Sequence, residues 1–299
     1  MRLANTIVAN LDNTEMPGLF NGKMGLCLFL YEYSRFSGNE TYGDIASDLL
    51  DDVIHHTGKR LSPNIDDGVA GIGCGLALMV NKSFVESDDN DLFSDIDETL
   101  LSKPRDLMYS ERRRMSPVFS SGVYLSYRLK NTPDDIDRQM IEKIVACVED
   151  YFEKISEYNI VEYLSFINSL LFICWTISEN SDFDKSRLQE IEKKITSLIN
   201  ISLNNKKYRN EDLYVLKNIK PEILIPSEAF YKKENVKNDC GIWYDSCWWN
   251  VLYGSYTKIP PEEILQPFLD ERMMNSFYDI KTVNSKLAGA GLNIIRFMH

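Results

Sequence analysis

Apolar residues recur along most of this chain at the spacing of an α-helix. In residues 42–54 the apolar side chains lie three, four and seven positions apart, which places them on one helix face. Residues 136–155 and 188–203 repeat this spacing, and residues 26–33 are almost continuously apolar, as in a helix buried on most sides. The pattern therefore predicts an all-α protein. Residues 119–129 are ambiguous, because their apolar positions suit either a helix or a strand.

Residues that favour turns separate these helical segments at fairly even intervals. Gly, Pro, Asn and Asp cluster between them, and each of these residue types favours a turn for its own physical reason. The predicted loops are residues 16–18, 38–39, 61–67, 88–90, 130–135, 204–210, 221–226 and 259–261. Because no low-complexity linker interrupts the sequence, we predict a single domain that spans residues 1–299.

A glycine-containing pattern occurs three times, twice near the start of the chain and once at its end. The copies are residues 18–27 (GLFNGKMGLC), 64–73 (NIDDGVAGIG) and 283–292 (VNSKLAGAGL). In each copy a polar turn leads into small residues and then into an apolar helix, and Gly25 and Gly71 lie 46 positions apart. That distance suits one helical hairpin per repeat. Fainter copies begin at Ser120, at Tyr163 and within residues 245–254.

The glycines of this pattern need an explanation, because glycine inside a helix costs about 1 kcal/mol relative to alanine. Close packing of neighbouring backbones is the simpler explanation, and a ligand-binding role is the other.

With these repeats the sequence resembles the lanthionine synthetase C-like family, the lanthionine cyclases of ribosomal peptide maturation. The similarity is greatest over residues 18–53, and the segments at 67–73 and 287–292 resemble the family's glycine-rich repeat. The resemblance implies an α/α toroid of helical hairpins, in which the glycine-rich turns lead into an inner ring of helices. It also implies that the protein binds a precursor peptide or a peptide-modifying enzyme in the toroid cavity.

The zinc ligands of this family have no recognisable counterpart in this sequence. In the family two cysteines and one histidine hold the ion, the second cysteine directly preceding the histidine, and zinc activates a substrate thiolate for thioether formation. This chain contains no Cys-His pair, and its histidines are His55, His56 and His299. We therefore expect no cofactor and leave open whether the chain is an enzyme. If zinc is bound, Cys240 and Cys247 are the remaining candidate ligands.

Acidic and aromatic residues are the candidates for lining the cavity. The set consists of Asp66, Asp67, Trp243, Tyr244, Asp245 and Trp248. With Trp249, the tryptophans form either a peptide-binding wall or a plug without a ligand. A second hypothesis is a carbohydrate-processing toroid, in which these acids and Glu228 act as general acid and base beside the aromatic rings. A third is a helical scaffold without catalytic activity.

Charge and composition narrow the list of partners. The formal net charge is −12, so an acidic surface would repel nucleic acid and anionic membranes. Residues 1–10 do not resemble a signal peptide, and the longest apolar stretch, residues 164–177, is too short and too polar to span a bilayer. Four of the six cysteines lie in apolar helical segments, as buried thiols do in a reducing compartment. The sequence therefore predicts a cytoplasmic protein.

Overall fold

The computed structural model describes residues 2–55, 61–86, 91–113, 119–133, 136–158, 163–208, 210–225, 251 and 283–297. Within these ranges the regular structure consists of α-helices and one 3₁₀ turn, Leu11–Asn13, and contains no strand. The prediction of an all-α protein is confirmed for this part of the chain. No helix among the described residues has the length and apolar character that crossing a membrane requires.

Twelve helices are described within these ranges. They are α1 (Arg2–Val8), α2 (Lys23–Ser37), α3 (Thr41–His55), α4 (Val69–Asn81), α5 (Asp91–Leu101), α6 (Pro104–Arg113), α7 (Ser120–Asn131), α8 (Arg138–Tyr158), α9 (Leu164–Asn180), α10 (Lys185–Asn204), α11 (Asn210–Ile219) and α12 (Val283–Phe297).

Helices α2 and α3 form a hairpin whose turn depends on one glycine. Gly38 caps α2 with φ of 68°, in the left-handed region, and its N–H donates to the carbonyl oxygen of Ser34 at 2.9 Å. Glycine adopts this conformation without steric cost. After the turn, the ring of Tyr42 packs edge-on against that of Tyr33, with centroids 4.8 Å apart. Helix α3 buries Ala46, Leu50 and Val53, and the amphipathic helix predicted over residues 42–54 is thereby confirmed.

The chain divides into two compact units, and the first comprises Met1–Ser62, Asp66–Gly75 and Lys232–His299. Helix α2 is the centre of the described part of this unit, because α1, α3 and α12 all pack against it. Its residues 24–32 are buried, as the continuous apolar run at 26–33 predicts. That the whole chain forms a single domain stays a prediction.

The second unit comprises Pro63–Ile65 and Leu76–Tyr231. Here α9 packs against α7, α10 and α11. Residues 120–129 of α7 are all buried, which explains why their sequence shows no clear period: a helix enclosed on every side needs no polar face. The ambiguous segment 119–129 is therefore a helix. The predicted loop at 130–135 begins slightly later than expected, because the side-chain amide of Asn131 donates to the carbonyl oxygen of Tyr127 at 2.7 Å and α7 continues through it.

The amphipathic segment at 188–203 forms most of α10. This helix buries one stripe of side chains, among them Leu188, Ile191 and Ile195. The Asp184 carboxylate caps its start by accepting from the backbone N–H groups of Ser186 and Arg187 at 2.9 and 3.4 Å. Such caps satisfy N–H groups that have no partner within the helix. The predicted loops 88–90 and 259–261 lie outside the described residues.

Candidate functional site

The glycine-rich turns that precede α2 and α4 pack directly against each other in the first unit. The backbone N–H groups of Phe20 and Asn21 both donate to the carbonyl oxygen of Asp66, at 3.1 and 2.9 Å. Helix α2 begins two residues after Asn21, and α4 begins three residues after Asp66. The first two copies of the repeated pattern therefore hold the starts of two helices side by side.

Gly18 is required at the point where the two backbones meet. A Cβ atom at this position would lie 2.5 Å from both the Cα and the carbonyl carbon of Asp67, and 2.6 Å from the carbonyl oxygen of Asp66. Non-bonded atoms do not approach that closely, and backbone atoms cannot swing aside as a side-chain end can. Gly22 is equally confined, because its Cβ would lie 2.4 Å from the backbone N and O of Gly18. Close backbone packing, the simpler explanation, accounts for both glycines.

The first backbone N–H groups of α2 are satisfied by its own preceding loop. Lys23 donates to the carbonyl oxygen of Met16 at 2.8 Å, and Met24 donates to that of Pro17 at 3.1 Å. At α4 the N–H of Val69 donates to the carbonyl oxygen of Ser62 at 2.8 Å. Helix starts often bind anions through their free N–H groups, but here these donors already have partners.

The third copy of the pattern, in α12, also contacts α2. A Cβ at Gly291 would lie 2.3 Å from Cε2 of Phe29, so the glycine admits the aromatic ring against the helix backbone. On α4, a Cβ at Gly75 would lie 2.2 Å from Cγ of Met24. Three segments that are far apart in the sequence are thus joined through one helix, α2.

Asp66 and Asp67 lie in the turn before α4 with half-buried side chains. They are the cavity candidates that the structure places against another copy of the repeat, and Asp66 makes that contact through its backbone oxygen. The remaining candidates lie outside the described residues: Trp243, Tyr244, Asp245, Trp248, Glu228, Trp249, Cys240, Cys247, His56 and His299. Their proximity to Asp66 and Asp67 stays a prediction.

The cysteines of the helical segments are buried, reduced thiols, as predicted. Cys27, Cys74, Cys147 and Cys174 are all free and buried. Burial raises the pKa of Cys27 and of Cys74 far above the ordinary value, and it raises that of Cys174 to about 12. A cysteine binds a metal as its thiolate, so these three thiols, whose burial opposes ionisation, are poor candidates for metal ligands.

His55 ends α3 at the surface, with its Nδ1 atom 2.7 Å from the carbonyl oxygen of Asp51. Within the described ranges, no three His, Cys, Asp or Glu side chains come together as metal ligands would.

A groove beside α3 is a feature that the sequence analysis missed. It has a volume of about 480 Å³ and lies between residues 11–15 and one face of α3. Ile45 and Leu49 line it together with Asp48. These three positions are spaced by three and four along α3, so they share one helix face. An acidic residue on a largely apolar face was the sequence feature that could have indicated the groove. The opposite side of the groove is formed by the 3₁₀ turn Leu11–Asn13 and the two residues after it. The sequence of this segment shows no periodicity, so it did not predict the groove.

A buried charge in the second unit was also missed. Arg128 of α7 is 1% exposed, and its Nη2 lies 3.6 Å from Oδ2 of Asp97 in α5. The hydroxyl of Tyr124 donates to the other carboxylate oxygen of Asp97 at 2.6 Å, and the guanidinium lies 3.7 Å from the ring centroid of Phe93. These contacts join α5 to α7 and give the buried charge a structural role.

The chain matches no protein-family model, and neither a curated protein nor a solved structure matches it.

Proposed function

We propose that this protein is a lanthionine synthetase C-like α/α toroid that acts in ribosomal peptide maturation. In this proposal it binds a precursor peptide or a partner enzyme in its cavity and performs no zinc chemistry. The observation that carries the proposal is that the three glycine-rich copies, from both ends of the chain, meet at α2 and the turn that leads into it: the second copy packs against the turn before α2, and the third copy contacts α2 itself.

A ring of helices requires its first and last inner helices to be neighbours. Helix α12 packs against α2, and Gly291 meets Phe29 at that contact. The turn before α4 packs against the turn before α2, where the N–H groups of Phe20 and Asn21 donate to the carbonyl oxygen of Asp66. These contacts give the order α12, α2, α4, which is the order that closure of such a ring would produce.

The alternation of helix types supports the same architecture. Helices α2, α7 and α9 are buried along most of their length, whereas the helices that follow them, α3, α8 and α10, expose a polar face. Helix α7 begins at Ser120, the start of one fainter copy, and α9 begins at Leu164, one residue after the start of the other at Tyr163. A buried helix followed by an amphipathic one is what an inner and outer pair of an α/α hairpin requires.

The absence of zinc chemistry is inferred from the ligand set of the sequence. Ring closure joins the sulfur of a substrate cysteine to the β-carbon of a dehydrated serine or threonine, while the α-carbon takes up a proton. In the family, two cysteines and a histidine hold the zinc ion, which would stabilise the substrate sulfur as a thiolate. This sequence has no Cys-His pair. Its helical cysteines are buried, and burial raises the pKa of Cys27, Cys74 and Cys174, which opposes formation of a thiolate ligand. We therefore propose a role in binding.

A labelled synthetic peptide that carries one cysteine and one dehydroalanine tests both parts of the proposal. Fluorescence anisotropy measures its binding to the full chain, and alkylation followed by mass spectrometry measures ring closure, which removes the free thiol without changing the mass. We expect binding without any acceleration of ring closure, with or without added zinc. Acceleration that is lost in Cys240→Ala or Cys247→Ala would contradict the non-catalytic role, and absence of binding would overturn the peptide-binding one.

A further inference from the structure

The groove beside α3, called the α3 groove below, has both apolar and charged lining residues. Its apolar lining residues are Leu11, Ile45 and Leu49, and all three are partly exposed. The volume of about 480 Å³ lies within the range of pockets that hold ligands in proteins. Partly exposed apolar residues in a groove of this volume can contact the apolar side chains of a binding partner.

The walls of the α3 groove carry negative charge on both sides. Asp12 belongs to the 3₁₀ turn at the groove, and Asp48 belongs to α3. Both are exposed. Neither forms an ion pair with any residue that the structure describes. The lysine at the groove, Lys23, pairs with Asp52. A ligand that enters therefore meets uncompensated carboxylates, which favour a cationic partner.

Thr14 adds a polar group at the inner side of the α3 groove. Its side chain lines the groove yet is only 2% exposed. Its backbone N–H donates to the carbonyl oxygen of Leu11 at 3.0 Å, whereas its hydroxyl has no hydrogen-bond partner among the described residues. Buried hydroxyls are generally paired, so this one is available to a bound ligand.

We propose that the α3 groove binds a basic amphipathic peptide segment of a partner protein. Leucine-like side chains of the segment would cover Ile45 and Leu49, its Lys or Arg side chains would pair with Asp12 and Asp48, and the Thr14 hydroxyl would hydrogen-bond to its backbone. Helices and strands with one apolar face commonly bind in such grooves. This site does not depend on the proposed peptide maturation role.

The test uses the full chain and a short fluorescein-labelled peptide with leucine and lysine at helical spacing, free of cysteine and dehydrated residues. A matched peptide with glutamate for lysine is the control ligand. We expect Asp12→Asn combined with Asp48→Asn to weaken lysine-peptide binding about fivefold, the effect of two partly exposed ion pairs. Asp106→Asn combined with Asp182→Asn removes the same charge from exposed positions in the second unit that do not line the groove, and it should change affinity less than about twofold.

Thr14→Val tests the hydroxyl separately, because valine keeps the shape and removes the hydrogen-bonding group. We expect it to weaken binding about threefold while circular dichroism shows an unchanged fold. An unchanged affinity would overturn the role of the hydroxyl. Equal losses in the two aspartate pairs would overturn the site, since the attraction would then belong to the overall charge of −12. Binding of the glutamate peptide, or of neither peptide, would overturn it too.

Discussion

The helix starts in the two units contain similar small residues, but they are packed in different ways. Before α2 and α4 the contact is between backbones: Gly18 lies against the backbone of Asp67. At the start of α7 in the second unit, a Cβ on Gly122 would lie 2.4 Å from Cδ1 of Ile173, a side-chain end. There the N–H of Phe119 donates to the side chain of Ser169 at 3.2 Å.

The comparison shows that one sequence pattern can serve two kinds of packing. Where backbone meets backbone, neither partner can move without breaking hydrogen bonds, so glycine is obligatory. Where backbone meets a flexible side-chain end, the side chain can change rotamer at modest cost. The repeat therefore predicts close approach in both units, while only the structure shows how tolerant each contact is.

Gly18→Ala should give the largest effect, because it introduces the Cβ that collides with the Asp67 backbone. We expect the free energy of unfolding to fall by about 3 kcal/mol, measured by urea denaturation followed by circular dichroism. Gly43→Ala is the control: its Cβ would lie 3.1 Å from the side-chain oxygen of Ser34, and alanine favours the helix. Equal stability of Gly18→Ala and Gly43→Ala would contradict the backbone contact.

Asp97→Asn tests the ion pair between Asp97 and the buried Arg128, a side-chain contact of the second unit. Loss of the carboxylate removes the charge of Asp97 from the buried Arg128. We expect a loss of about 2 kcal/mol, less than for a fully buried pair, because the Asp97 side chain is 14% exposed. Asp95→Asn, two positions away and exposed, is the matched control. The structural role of Arg128 would be refuted if both variants unfolded at the same urea concentration.

Gly122→Ala should cost less than Gly18→Ala, about 1 kcal/mol, because the alanine's helix preference offsets part of the clash. Ile173→Val removes Cδ1, the atom nearest to the new Cβ, while the contact with Cδ1 of Phe119 at 2.8 Å remains. The double variant should therefore be more stable than the sum of the two single effects predicts. If the two losses in the free energy of unfolding were strictly additive, the contact between residue 122 and Ile173 would not be the cause of the destabilisation.

The smallest effect concerns the cap of α10 and depends on pH. The Ser186 side chain and the backbone N–H groups of Ser186 and Arg187 lower the pKa of Asp184 below its ordinary value of 3.8. A lowered folded-state pKa adds stability above the ordinary value, and that stability disappears as the pH falls through the lowered value. Asp184→Ala should therefore lower the unfolding midpoint at neutral pH and approach the parent protein in acid. Asp182→Ala, exposed nearby, should show no such trend.

The sequence predicted those features that depend on local periodicity. The stripe in residues 42–54 and the one in 188–203 each became a helix with the expected buried face. Features that join distant segments were missed. The α3 groove forms where residues 11–15 meet α3, and Arg128 pairs with Asp97, which lies 31 positions earlier. No local periodicity in the sequence predicts either of these contacts.

The role of Asp66 shows a further limit of sequence reasoning. It was a cavity candidate because of its carboxylate, yet its observed contact with the first turn uses the backbone oxygen, which every residue possesses. The residue type could not reveal that contact. The paired glycine at position 18 was the better indicator, because only a side chain of minimal size allows a second backbone so close.

Elemental analysis of the purified protein, without added zinc or chelator, tests the central claim of a zinc-free peptide-binding toroid most directly. The account predicts zinc far below one ion per chain, unchanged in Cys240→Ala and Cys247→Ala. About one zinc ion per chain, lost in either variant, would contradict the zinc-free account. It would support the cyclase mechanism, with a residue other than the family's histidine as the third zinc ligand.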